Sequence, residues 1–148
     1  MNKKGFTLVE ILAVIVIISV VALIGTASLT AVRKNMNQNM FETKLELVLS
    51  AAKSYADDNK SSITSTKNVT IQSLINSGYL ATDETDTDNK PAILHFSSNE
   101  SLNNMNIQVQ IVHNRARACI NDSDTTVKNN LLTDGLTKSS FNKQTLFC

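Results

Sequence analysis

The chain has 148 residues, of which 18% are charged, and its formal net charge is +1. This length allows one domain plus an anchoring segment, and the near-neutral charge gives no basic signature that would draw the protein to nucleic acid. Trp is absent, and with four Gly and one Pro the composition disfavours a Gly-rich barrel or a disordered chain.

The first predicted element is a long apolar helix near the N-terminus. Residues 11–32 contain no charged side chain, and Lys residues precede and follow them. About 20 apolar residues are enough to cross a bilayer core as a helix, so this run predicts a membrane span. One carboxylate, Glu10, lies at its start, and an acid at membrane depth costs at least about 2.5–3.5 kcal/mol and usually has a function.

A cleaved secretory signal is the alternative interpretation of this segment. Gly25-Thr26-Ala27 and Leu29-Thr30-Ala31 both end in small residues, as a cleavage site does. However, the apolar region of a secretory signal is about 7–15 residues long, and here it is longer and contains Glu10.

The hexapeptide Gly5-Phe6-Thr7-Leu8-Val9-Glu10, behind a basic leader and in front of an aliphatic helix, resembles the class III signal of type IV pilins and pseudopilins. The resemblance implies that a membrane aspartyl peptidase cuts between Gly5 and Phe6 and then methylates the new N-terminus at Phe6. The charges that flank the apolar run are nearly balanced, so they do not fix its orientation. The resemblance implies a cytoplasmic N-terminus, with everything after Arg33 outside.

Glu10 acquires a counter-charge if this resemblance holds. Cleavage creates an α-amino group at Phe6, and its cationic form can neutralise the carboxylate of a neighbouring copy. Breaking a buried pair of this kind costs about 3–5 kcal/mol, so we expect Glu10 to direct subunit docking. The alternative is a Glu at the bilayer edge that is solvated by headgroups.

The helix is predicted to continue beyond the membrane, as an amphipathic segment. Its apolar positions recur at spacings of four and three, which predicts a face that packs on the protein's own core: Phe41, Leu45, Val48, Ala52 and Tyr55, widened by Leu49 and Ala56. The charged residues are predicted on the other faces: Glu42, Lys44, Glu46 and Lys53. A coiled-coil seam is the alternative.

We therefore predict four regions along the chain. Residues 1–5 are a cleaved leader, 6–32 a transmembrane and filament-core helix, 33–58 its amphipathic continuation, and 59–148 a globular head. The predicted fold class is α+β, a long N-terminal helix packed on a small antiparallel sheet.

The head begins with a polar connector at 61–68 and a short helix. Thr70 is predicted to cap a helix from Ile71 to Ser77, and Gly78 to end it in the left-handed conformation. Three strands follow from their apolar patterns: Ala92–Phe96, Asn106–Val112 and Arg115–Ile120. The last two are close enough for a hairpin. A helix over Val127–Thr133 and an edge strand over Gln144–Cys148 complete the prediction.

Two cysteines, Cys119 and Cys148, lie in the head. Outside the membrane we expect them to oxidise to a disulfide, which would close a loop of roughly 30 residues. The resemblance implies the same, since many type IV pilins fasten their C-terminal region in this way. Two free buried thiols are the alternative.

We expect no metal, cofactor or catalytic site, and thus no enzyme. Asp86 with Asp88, and Asp122 with Asp124, lack the Gly and distal Glu of a helix-loop-helix calcium loop. Some major pseudopilins bind calcium in their heads, so calcium remains an alternative. Neither histidine, His95 or His113, belongs to a metal or triad motif. A small basic patch of Arg115, Arg117 and Lys128 does not by itself predict nucleic-acid binding.

The predicted function is that of a structural prepilin that polymerises into a type IV pilus-like filament on the cell surface. The expected partners are copies of itself or related pilins, the prepilin peptidase and methylase, a membrane assembly platform and the lipid bilayer. The alternatives are a pseudopilin of a type II secretion or competence machine, and a single-pass anchored or secreted binding protein.

Overall fold

The structure is a computed structural model that describes residues 7–133 and 135–148, without the side chains of residues 23–31. The chain divides into two compact units, Met1–Asn37 and Gln38–Cys148. Helix α1, Leu8–Asp58, contributes residues to both units. With a three-stranded antiparallel sheet in the second unit, the chain has the predicted α+β fold class.

The second unit is built on the part of α1 that follows Asn37. Its buried side chains lie at the predicted spacing of four and three: Phe41, Leu45, Val48, Ala52 and Ala56. Leu49 and Tyr55 are half-buried beside them. The amphipathic pattern therefore predicted the core face of this helix correctly, because only one stripe of a helix can face a single core.

Glu42 is buried, contrary to the prediction that it lies away from the core face of the helix. One carboxylate oxygen accepts the backbone N–H of Asn142 at 2.9 Å and the Gln38 side-chain amide at 3.0 Å. The other accepts the backbone N–H of Lys143 at 3.0 Å. These bonds, here called the Glu42 clasp, supply the partners that a buried carboxylate requires. The prediction was wrong because the helical pattern does not show which loop returns to this position.

The neighbouring charges follow the prediction more closely. Glu46 and Lys53 are exposed, and Glu46 pairs with the Lys143 ammonium at 2.6 Å. Lys44 is half-buried and forms an ion pair with Glu84, which lies 40 residues later in the chain.

The sheet consists of β1 (Thr66–Thr70), β2 (Asn106–Val112) and β3 (Arg115–Cys119), in that order. Both pairings are antiparallel. Along β2, Ile107 and Val109 are fully buried and alternate with half-exposed polar residues. The residues that join β2 to β3, His113 and Asn114, both have positive φ, at 49° and 61°, which is the geometry of the two-residue turn that suits a hairpin.

Two predictions about strands were wrong. The segment Ala92–Phe96 forms no strand, and β1 lies partly inside the predicted connector at 61–68. Four consecutive N–H groups, from Ala92 to His95, each donate to a different partner, so no ladder forms: the Glu84 carbonyl, the Asn103 side chain, the Glu84 carboxylate and the Glu100 carbonyl. The segment is buried instead by packing, and the His95 and Phe41 rings lie 5.5 Å apart.

Helix α2, Ile71–Asn76, forms as predicted. The Thr70 hydroxyl accepts the Ser73 N–H at 3.2 Å, and Gly78 has a φ of 76°. The Tyr79 N–H bonds to the Leu74 carbonyl at 3.0 Å, which is the arrangement that ends a helix with a left-handed glycine.

The C-terminal elements differ from the prediction in extent and type. Helix α3 is Thr125–Asn130, so it begins two residues earlier than predicted, where Asp124 caps it, and ends three residues earlier. The predicted edge strand at Gln144–Cys148 is a short 3₁₀ helix, Gln144–Leu146, followed by a single parallel bridge between Phe147 and Ile120. The segment is thus attached to the end of β3 without extending the sheet.

Replacing Asp124 by Ala is expected to cost about 0.5–2 kcal/mol of stability at neutral pH, as the loss of an N-cap does. The Thr126 hydroxyl and N–H groups hold the pKa of the Asp124 carboxyl below its ordinary value of 3.8. Because the folded pKa is lower than the unfolded one, this contribution is complete above about pH 4 and disappears as the pH falls through the folded pKa. Urea unfolding measured from pH 7 to pH 2 should show that the difference in free energy of unfolding between wild type and Asp124→Ala becomes small at the lowest pH. Asp122→Ala, two residues away from the cap, is the control and should change little.

Candidate functional site

The N-terminal segment is the candidate functional site. Gly5 and Phe6, predicted as the cleavage and methylation positions, lie outside the described residues. The described chain starts at Thr7, whose carbonyl accepts the N–H groups of Glu10 at 3.1 Å and Ile11 at 3.2 Å. Helix α1 therefore begins directly behind the predicted cleavage position.

Thr7 is a residue whose role the sequence prediction missed. Its hydroxyl accepts the Glu10 N–H at 3.4 Å, a long hydrogen bond at the first turn of α1. The spacing Thr7-x-x-Glu10 is that of a capping box, so this signal was present in the sequence. It fixes where α1 starts, and it places the Glu10 carboxylate in the first turn, where the helix dipole favours a negative charge.

Glu10 is exposed, and the residues next to it along α1 are mostly apolar. Among the described residues, no Lys, Arg or His nitrogen lies within 4.0 Å of its carboxylate. A shallow groove of about 420 Å³ lies on a different face of the same helical turns, and apolar side chains line this groove: Leu8, Ile11, Leu12 and Ile15. The first turns of α1 therefore present a carboxylate on one face and an apolar groove on another.

The large apolar side chains from Leu8 to Val21 are exposed by 49–80%. A soluble monomer rarely exposes so large a continuous apolar surface, so this part of α1 indicates an interaction site. None of the helices in the described part of the chain meets the length and hydropathy expected of a membrane span. The predicted single-pass topology remains a prediction.

The acidic pairs that were considered for calcium have other partners. One Asp86 oxygen accepts the N–H groups of Asp88 and Lys90, each at 2.9 Å, and Asp124 caps α3. Over residues 7–133 and 135–148, no three His, Cys, Asp or Glu side chains are grouped in a way that could hold a metal ion.

The C-terminal segment is fastened to the second unit at two places. A disulfide joins Cys119 at the end of β3 to Cys148, with the two Cα atoms 5.2 Å apart. The Glu42 clasp holds the same segment at Asn142 and Lys143. A covalent bond and a buried carboxylate together fix residues 142–148 on the second unit.

Comparison with known proteins identifies the N-terminal segment. The prokaryotic N-terminal methylation motif matches residues 1–26. No curated protein and no solved structure matches the chain. The motif supports a type IV pilin-like precursor, implies processing by a prepilin peptidase, and indicates a membrane-anchored product. The chain carries, at residues 1–26, the class III signal of type IV pilins and pseudopilins.

Proposed function

We propose that the chain is a structural prepilin, cut between Gly5 and Phe6, methylated at Phe6 and polymerised into a type IV pilus-like filament. The observation that carries this proposal is the methylation motif over residues 1–26. The exposed apolar surface that follows it supports the proposal, since a filament core or a bilayer would cover that surface. The partners are then copies of the chain, the prepilin peptidase and an assembly platform.

Docking depends on the charge that processing creates. Hydrolysis after Gly5 leaves an α-amino group on Phe6, which is cationic at neutral pH. The Glu10 carboxylate of an adjacent copy is its partner, because among the described residues no cation of its own chain lies within ion-pair distance of Glu10. Leaving one member of such a buried pair unpaired costs about 3–5 kcal/mol, which favours assembly in register.

The proposed orientation is a single pass, with a cytoplasmic N-terminus and the second unit outside. The disulfide between Cys119 and Cys148 supports this orientation, because disulfides persist in oxidising environments and are rare in the cytosol.

The proposal is tested by determining the N-terminus and the filament yield of wild type and Glu10→Val. We expect both mature chains to begin at Phe6, since Glu10 is not at the cleavage position. Sheared filament should fall at least about tenfold in Glu10→Val, because one member of a buried ion pair is missing. Glu10→Asp keeps the charge and is the control, with an intermediate yield.

The two measurements contradict different parts of the proposal. A mature chain that begins elsewhere, for example near Ser28, would refute processing as a prepilin and favour a secreted protein. A Glu10→Val variant that starts at Phe6 and assembles like wild type would refute the pairing alone.

A further inference from the structure

The second unit has a cleft lined mainly by basic side chains. It lies between the end of α1 with the following 3₁₀ turn and the start of β3, and its volume is about 460 Å³. Four cationic side chains and one carboxylate line it, and they are here called the basic cleft: Lys53, Lys60, Arg115, Arg117 and Asp57. The sequence grouped the two Arg residues with Lys128, but Lys128 lines a different groove.

Most of the charge in the basic cleft is not neutralised by side chains in the described part of the chain. Asp57 pairs with Lys60 at 3.1 Å. In the described part of the chain, no carboxylate lies within 4.0 Å of Lys53, Arg115 or Arg117. Arg115 and Arg117 are exposed and separated by one residue of β3, so their side chains lie on the same side of the strand, about 6.6 Å apart along it. The cleft therefore presents three free cations to a ligand with closely spaced acidic groups.

The charge of the whole unit favours a local acidic partner over a polyanion. Residues 38–148 contain ten Lys and Arg side chains and twelve Asp and Glu side chains. A long polyanion such as nucleic acid would be repelled by this net negative unit, whereas a short acidic segment of another protein contacts only the cleft.

The chain itself contains such a segment, the acidic loop Asp83–Asp88. Glu84 of this loop is taken up by its ion pair with Lys44. Asp83 is exposed. Asp88 forms an ion pair with its neighbour Lys90 at 3.4 Å, in which both side chains are about 70% exposed. An ion pair this exposed contributes little, so both carboxylates are available to another partner.

The acidic loop and the basic cleft contact α1 at different positions along the helix axis. The loop is tied to Lys44, and the cleft begins at Lys53, nine residues later, which is about 13 Å along a helix. The two surfaces form no ion pair with each other in the described chain. A second copy displaced along the helix axis can bring its loop to the cleft of the first. Such a head-to-tail contact leaves one free loop and one free cleft, which is the type of interface that builds open filaments.

We propose that the basic cleft receives the acidic loop of a second copy of the chain, with Arg115 and Arg117 binding the carboxylates of Asp83 and Asp88. The inference rests on the proposed filament function, and it adds a contact between the second units to the docking of the N-terminal helices. Arg is suited to this role because its planar guanidinium binds a carboxylate through two hydrogen bonds.

Charge reversal in the full-length chain, expressed in its own cells, tests the proposal. Arg117→Glu and Asp88→Lys should each reduce sheared filament about tenfold, because each places like charges opposite one another. The combined variant restores opposite charges and should recover most of the yield. Lys128→Glu also reverses one exposed charge, but outside the cleft, and should assemble like wild type. The mature N-terminus and the level of membrane-bound protein are measured in every variant.

The possible results distinguish three hypotheses: the proposed contact between second units, the filament function, and binding of nucleic acid in the cleft. Normal assembly of Arg117→Glu, or failure of the combined variant to recover, overturns the proposed contact while the filament function stands. If Arg117→Glu assembles normally but loses retention of a DNA duplex that wild type binds at low salt, the cleft serves nucleic acid and the proposal is wrong. Wild type that starts at Phe6 but forms no filament instead overturns the filament function, and with it this contact.

Discussion

Replacing Glu42 by Ala is expected to lower the free energy of unfolding of the second unit by roughly 2–4 kcal/mol, because hydrogen bonds to a charged group contribute about 1.5–3 kcal/mol. The variant leaves the backbone N–H groups of Asn142 and Lys143 without the acceptor that they have in wild type. The side chain is fully buried, so little water is available to replace it. Pulse proteolysis of the full chain over a series of urea concentrations measures the difference.

Glu46 provides a matched control on the same helix. Its carboxylate also binds Lys143, through the ammonium at 2.6 Å, but the two side chains are 46% and 38% exposed. An exposed ion pair contributes about 0.2–1 kcal/mol, so Glu46→Ala should cost far less than Glu42→Ala. Glu42→Gln is a second test. One of the two oxygens becomes an amide nitrogen, which cannot accept a backbone N–H, so this variant should lose most of the stability that Glu42→Ala loses. Equal losses at positions 42 and 46 would contradict the Glu42 clasp.

The core face of α1 was predictable from the sequence because its signal is local. Periodic apolar residues identify the stripe whatever packs on it. The burial of Glu42 depends on residues about 100 positions away, which the pattern cannot show. One clue was available: Leu49, which widens the predicted stripe, lies seven residues after Glu42 and so at nearly the same angle around the helix. This spacing puts Glu42 next to the predicted core face, although the prediction assigned it to another face, and the spacing does not identify its partners.

The strands show the same division between local and long-range signals. The pair β2 and β3 was predicted correctly, because alternation and a two-residue link are contained in one short segment. Strand β1 is mostly polar and exposed, with only Val69 buried, so its pairing with β2 determines its conformation. Conversely, the apolar run at Ala92–Phe96 is partly buried but forms no strand, since hydrophobicity alone does not select a ladder partner.

The candidate site was predictable to the extent that it is a linear motif. Gly5, Phe6 and Glu10 belong to one continuous signal, and the matching family motif covers the same residues. The basic cleft was not predictable, because it combines the end of α1 with the β2–β3 turn and the start of β3. In the sequence these two groups of cations are more than 50 residues apart, and only folding brings them together.

The second large effect is expected at the disulfide. Cys148→Ser should lower the free energy of unfolding by about 3–4 kcal/mol, the chain-entropy estimate for a closed loop of this length. The bond connects residues 29 positions apart and attaches the C-terminal segment to the end of β3. Because a small domain has a total stability of only about 5–15 kcal/mol, the variant should unfold at much lower urea concentration than wild type.

The disulfide and the Glu42 clasp hold opposite ends of one segment, and this arrangement allows the disulfide prediction to be separated from a general loss of packing. Without the disulfide, the clasp still holds Asn142 and Lys143. Beyond them, Cys148 keeps hydrogen bonds to Ile120 and Lys138, and Phe147 keeps its ring contact with Phe141, all of them non-covalent. We therefore expect Cys148→Ser to expose the residues after Lys143 to protease before the rest of the unit unfolds. Cys119→Ser, the double variant and reduced wild type should all behave alike, because each lacks the same single bond. A Cys148→Ser chain as stable as oxidised wild type would show that the clasp alone secures the segment.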